Sequence, residues 1–148
     1  MFIGRNNEKK ELLSFKNQKK TAFVVCSGRR RIGKSTLVEE VSSEFKSFFE
    51  FQGLHPKEAP RQSQQLEHFS EKIRLYFKTP KMIFISWTEA FTELSQRLSP
   101  QSTLLFFDEI SWMSSGAYTF SAELKAAWDI LYKKHPNLTL VVAGSVYS

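Results

Sequence analysis

Ala22-Phe23-Val24-Val25-Cys26-Ser27-Gly28-Arg29-Arg30-Arg31-Ile32-Gly33-Lys34-Ser35-Thr36 is the stretch whose reading decides the fold. Its first six residues form a continuous apolar run of strand length, the pattern of a strand buried on both faces. Gly28 to Ser35 then fit the spacing G-x-x-x-x-G-K-[ST]. Beyond the loop, Leu37, Val38, Val41 and Phe45 recur at helical spacing. A glycine-bearing loop between a buried strand and an amphipathic helix has a specific chemical use. The glycines let the backbone curl around phosphate with its N–H groups turned inward, and the helix N-terminus adds partial positive charge. Lys34 is placed to reach β- and γ-phosphates, and Ser35 to ligate Mg²⁺, with Thr36 in the same first turn. The side chains of Arg29, Arg30 and Arg31 should face outward, to solvent or to an acidic partner.

Working outward, Thr103-Leu104-Leu105-Phe106-Phe107 is a second buried-strand run, and it ends at Asp108-Glu109. A strand that delivers Asp108 to its C-terminal end supplies a carboxylate for the Mg²⁺ shell. Glu109 can orient and deprotonate an attacking water. Alone, an apolar run followed by an acid is common; paired with the upstream loop it becomes specific. Leu138–Ala143 is a further strand, closed by Gly144-Ser145, and Ser145 is a candidate for contact with the γ-phosphate or the water.

The remaining pattern alternates. Asn6 or Asn7 can cap a short helix running through Phe15, and Asn17 to Lys20 reads as a polar turn. Phe48–Phe51 is a strand, and Gly53 to Gln62 a loop with Pro56 and Pro60. Leu66, Phe69, Ile73 and Phe77 mark one helix; Trp87, Phe91, Leu94 and Leu98 a second; Phe120, Leu124, Trp128 and Leu131 a third. Met82–Ile85 fits either a short strand or a connector. Strands alternating with helices predict an α/β fold, a parallel sheet covered by helices on both faces. Trp87, Trp112 and Trp128 read mainly as packing residues, with Trp112 close behind Glu109. His55 reads as a loop residue and Cys26 as a small core residue.

Composition narrows the classes. With 148 residues, 41% of them hydrophobic, and fourteen Phe, the chain can bury a core and is not intrinsically disordered. One cysteine excludes a disulfide framework, and three scattered histidines offer no zinc cluster. No apolar run approaches a membrane span, and Met1 to Lys10 lacks the apolar core of a signal peptide. A cytoplasmic protein without a membrane partner is expected. The net charge of +6 is uneven: residues 1–36 hold ten Lys/Arg against Glu8 and Glu11. That local excess suits a bound polyphosphate, and also a DNA or protein partner.

These segments in this order, with Phe2-Ile3-Gly4-Arg5 and Glu8 near the start and Trp87 with Phe91 between, resemble the prokaryotic, archaeal-type P-loop ATPases of the STAND branch of AAA-like NTPases. The resemblance implies a three-layer P-loop NTPase core, ATP rather than GTP, and a place for Ile3, Gly4 and Arg5 near the adenine. The absence of an N-K-x-D tetrapeptide agrees with adenine. It also implies that residues 1–148 are one ATP-binding domain, the N-terminal part of a longer chain, truncated at its C-terminus. Further domains there would supply a lid, an arginine finger and partner contacts. In that fold the phosphate-loop strand has a further neighbour, so Ala22–Ser27 is expected at a sheet edge, where it invites self-association.

The expected function is ATP binding with Mg²⁺-dependent hydrolysis, used as a switch or motor and slow in isolation, with ATP and ADP as ligands. Glu109, Lys34 and Ser145 would be catalytic; Gly28 to Thr36 would hold the nucleotide; Ser35 and Asp108 would hold the metal. Two rivals stand beside it. A P-loop small-molecule kinase would carry an arginine-bearing lid. A DNA- or protein-binding module would show steep salt dependence and no significant turnover.

Overall fold

The computed structural model describes the backbone of residues 5–26 and 33–144, and side chains of residues 9–26 and 37–144. Four strands form one parallel sheet: β1 (Ala22–Cys26), β2 (Ser47–Gln52), β3 (Thr103–Asp108) and β4 (Leu138–Ala143), in the spatial order β1-β4-β3-β2. The two central strands are buried along nearly their whole length, which is why their sequences are continuous apolar runs rather than alternating ones.

Each face of the sheet carries its own core. On one, α1 (Arg5–Asn17) and α2 (Gly33–Ser42) bring Leu12, Leu37, Val38 and Val41 against Leu104, Phe106, Val141 and Ala143. On the other, α3 (Gln62–Phe77), α4 (Trp87–Arg97) and α6 (Phe120–Ile130) cover Phe51, Leu105, Phe107, Leu140 and Val142. α5 (Ile110–Met113) is a single turn after β3, and a 3₁₀ turn (Tyr132–Lys134) follows α6. The three-layer α/β arrangement is the one expected.

Trp87 sits in the centre of the larger core, with ring centroids 5.1 Å from Phe69, 5.4 Å from Phe91 and 5.0 Å from Phe120. Trp128 packs edge-on against Phe23 of β1 at 5.2 Å. Tyr132 is fully buried, donates its hydroxyl to the Phe91 carbonyl at 2.6 Å, and is held protonated far above the usual phenol range by burial.

Two local expectations need correction. The first helix begins at Arg5, so Asn6 and Asn7 lie inside its first turn and do not cap it. The Glu8–Leu13 run consists of good helix formers, and propagation adds a bond per residue once a turn exists. Phe45 is buried with the α2 residues, yet it belongs to the turn after Ser42. Met82–Ile85 joins no ladder and is a connector, with Ser70 donating to the Met82 carbonyl.

The two sheet edges differ. At β2, the Tyr76 hydroxyl of α3 accepts from the Glu50 N–H at 2.9 Å and lies 3.2 Å from its carbonyl, occupying the outward backbone groups of an edge strand. At the other edge, β1 pairs only with β4 among the described residues, as expected of the Ala22–Ser27 strand, and Val25 is half-exposed. Tyr76→Phe is expected to cost about 1 kcal/mol, because it strips both backbone groups of their partner. Urea denaturation should show a lower midpoint with an unchanged slope.

Candidate functional site

In a parallel sheet all strands point the same way, so β1, β2, β3 and β4 bring Cys26, Gln52, Asp108 and Ala143 to one end. Ligands of such sheets bind outside those C-terminal ends. The backbone of Gly33, Lys34, Ser35 and Thr36 forms the first turn of α2, directly after β1 and its loop. The sequence thus places a phosphate-type loop and helix start at the end of the sheet where a ligand is expected. Gly28, Arg29, Arg30, Arg31 and Ile32, the segment Ile3–Gly4, and Ser145 lie outside the described residues. So do the side chains of Arg5, Lys34, Ser35 and Thr36.

Asp108 and Glu109 are fully described. Asp108 is the last residue of β3, on the same sheet face as α2, with Phe106 and Leu104 preceding it on that face. Its Oδ1 accepts from the Glu109 N–H at 2.8 Å, and its carbonyl accepts from the Gly53 N–H at 3.0 Å. Glu109 has left-handed backbone angles, φ 51° and ψ 53°. A non-glycine residue there is held against a penalty of about 1–2 kcal/mol. The surroundings enforce it: the Glu109 carbonyl accepts from Trp112 N and Met113 N, both at 3.0 Å, which starts α5. Its Oε1 is shielded from solvent.

Gly53 and Gly144 close the site from either side, and Gly53 was not singled out by its sequence. A Cβ on Gly53 would lie 2.3 Å from Met113 N and 2.5 Å from Glu109 O, so only glycine lets β2 approach the α5 turn. Gly144 N–H points to the Cys26 carbonyl at 3.4 Å, joining the ends of β4 and β1. On the outer side, Trp112 packs against His55 with centroids 4.9 Å apart, so Trp112 does lie beside the Asp108-Glu109 turn.

Glu50 is a second carboxylate on this face that sequence reading missed. Burial, and then the nearby Asp108, push its pKa above the ordinary 4.5, while Lys72 pulls the other way. A carboxyl with a raised folded pKa binds more protons when folded, so stability falls as pH rises from about 4.5 through the folded value. Glu50→Gln is therefore expected to raise Tm at neutral pH, with the gain shrinking to nothing below about pH 4, which thermal melts across pH would show.

The oxygen donors fit a hard divalent cation. A strand-end carboxylate, Asp108, and a hydroxyl residue in the first turn of α2, Ser35, are the ligand types Mg²⁺ takes in a phosphate site. Asp108 is half-buried and oriented by the Glu109 amide, as an ion-supporting carboxylate requires.

A parallel three-layer sheet with Gly33-Lys34-Ser35 opening a helix at one strand end and Asp108-Glu109 closing another defines a P-loop NTPase core. The profile of the AAA domain family matches residues 20–148, and the chain belongs to that family. ATP binding and hydrolysis are the general chemistry of that class. Among solved structures, the chain is similar to the Walker-type ATPase PABY2304 of Pyrococcus abyssi, with a TM-score of 0.59 and 19% identity over 94% of this chain and 44% of that one. It is also similar to the Aeropyrum pernix ORC2 protein, solved as ADPNP-ADP complexes, with a TM-score of 0.51 and 15% identity over 97% of this chain and 42% of that one. The chain thus spans less than half the length of either structure, and the likeness is one of fold. A comparison with curated protein sequences returns no match. Among the described residues no helix is long and apolar enough to cross a membrane.

Proposed function

We propose that this chain is an ATP-binding domain over residues 1–148 that hydrolyses MgATP slowly and serves as a nucleotide-driven switch or motor of the STAND type in the cytoplasm. The single observation that carries the reading is the Asp108–Glu109 turn. A strained backbone holds two adjacent carboxylates at the strand end next to the Gly33-Lys34-Ser35 helix start.

In this reading the backbone of Gly28 to Gly33 cradles the phosphates, and Lys34 contributes a charge-assisted contact to them. Ser35 and Asp108 would hold Mg²⁺, which when bound offsets negative charge on the phosphate oxygens. Asp108 also fixes the peptide plane of Glu109 through the 2.8 Å bond. Glu109, partly shielded from water, accepts the proton of the attacking water. Ser145 contacts the γ-phosphate, and Ile3, Gly4 and Arg5 border the adenine.

The experiment is ligand-induced stabilisation. MgATP or MgADP at a hundred times its dissociation constant should add about 2.7 kcal/mol to the unfolding free energy. Lys34→Ala should remove most of that gain while leaving the ligand-free melt nearly unchanged. An equal shift in the variant would exclude the phosphate loop as the binding site.

A further inference from the structure

We propose that the end of the sheet opposite the nucleotide loop is a docking surface for the phosphate backbone of a nucleic acid. Two turns far apart in sequence are tied together there. The Thr21 hydroxyl donates to the His135 carbonyl and accepts from Leu138 N–H at 3.1 Å, and Asn137 Nδ2 donates to the Lys16 carbonyl at 3.2 Å. His135 is locked in place, accepting from Asn137 N–H at 2.9 Å and bonding the Ser99 carbonyl at 2.6 Å. The junction brings Lys16, Lys19 and Lys20 beside Lys133 and Lys134, all but Lys16 exposed. Residues 12–38 and 130–148 contain no Asp or Glu. The adjoining acid on α6, Asp129, is engaged by Lys125 at 2.9 Å and Lys133 at 3.9 Å.

Helix electrostatics explain only part of this. Lys16 sits in the last turn of α1, where a cation offsets the helix dipole. Lys19 and Lys20 lie past the helix, in a turn closed by Lys19 N–H to Lys16 O and Lys20 N–H to Phe15 O, both 3.0 Å. Lys19 holds the left-handed position, φ 55°, that glycine or asparagine usually fills.

The composition of the patch selects the partner. Protein-binding surfaces are depleted in Lys and enriched in aromatics and Arg, whereas the cations of this surface, Lys16, Lys19, Lys20, Lys133 and Lys134, are all lysines. Among the described residues these turns carry no large exposed apolar side chain, and Ile130, at the end of α6 beside them, is too little to insert into a bilayer. Flexible point charges on two joined turns suit the phosphates of a nucleic-acid backbone. The patch lies at the start of β1 and the nucleotide loop at its end, about 17 Å away for a five-residue strand. Nucleic acid and nucleotide should therefore bind independently.

The test is fluorescence anisotropy of a labelled duplex of ~20 base pairs, titrated with the chain between ~50 and ~200 mM salt. Lys19→Gln, Lys20→Gln, Lys133→Gln and Lys134→Gln combined should weaken binding at least tenfold and flatten the log–log salt slope by about 3–4. Lys57→Gln, Lys78→Gln and Lys81→Gln combined should leave both unchanged, as should saturating MgATP. If the fourfold variant melts early, the Lys19/Lys20 and Lys133/Lys134 pairs, tested separately, should each flatten the slope by about 2. No duplex binding by the native chain, equal loss in the control, competition by ATP, or binding only to phosphatidylserine vesicles or poly-glutamate would each overturn the assignment.

Discussion

Glu109→Gln is expected to lower ATP turnover by about 10²–10⁴-fold while nucleotide affinity stays within a factor of two or so. The amide keeps the size of the carboxylate and loses its basicity, and the backbone contacts of Glu109 to Asp108, Trp112 and Met113 do not involve the changed atoms. A second substitution separates base from scaffold. Glu109→Gly also removes the carboxylate, but it relieves the left-handed strain at φ 51° and should raise the unfolding free energy by about 1 kcal/mol. Stability rising as turnover vanishes would show that the residue is retained for chemistry at a structural cost. Single-turnover hydrolysis and urea denaturation give the two readouts. Parent-rate hydrolysis by the glutamine variant would exclude Glu109 as the base.

Gly53→Ala should be the more damaging change to the fold, at about 3 kcal/mol. The added methyl would meet Met113 N at 2.3 Å, Glu109 O at 2.5 Å and Met113 Cα at 2.9 Å, all backbone atoms that cannot swing aside. It would wedge into the Met113 N–H to Glu109 O hydrogen bond that starts α5. Either β2 and α5 separate or the Asp108–Glu109 turn opens, so turnover should fall together with stability. Gly144→Ala is the control: its methyl meets Ile110 Cγ2 at 3.2 Å, a side chain able to yield, and the loss should stay below about 1 kcal/mol. Denaturation midpoints of the two variants decide the matter; equal losses would mean that the close approach at Gly53 is not what holds the turn.

The contrast between these two glycines also shows what a sequence can and cannot disclose. Leu104-Leu105-Phe106-Phe107 and Leu138–Ala143 were legible as strands because burial on both faces leaves no room for polar alternation. The positions of Asp108 and Glu109 followed, since a strand end is where the apolar run stops. Gly53 carried no such signal: it opened a loop like any other, and its need for a missing side chain comes from a turn some sixty residues later. α5 was illegible for a related reason. Four residues are too few to show a period, and the turn is set by the Glu109 carbonyl. Glu50 lies inside the Phe48–Phe51 run with no signal of its own, and only the fold shows that Asp108 lies near enough to disfavour its charge. The first helix was recognised but its start misplaced, because two asparagines resemble caps even where helix propagation carries past them.

The unequal treatment of the two sheet edges gives the fold a direction of growth. With Tyr76 holding the outward backbone groups of Glu50 on β2, an additional strand would meet an interrupted edge there and an uninterrupted one alongside β1 among the described residues. β1 is also the strand that precedes Gly28-Arg29-Arg30-Arg31-Ile32-Gly33 in sequence, the loop proposed to hold phosphate, and its Cys26 carbonyl meets Gly144. A strand zipped onto that margin would pair the backbone groups of β1 that face away from β4.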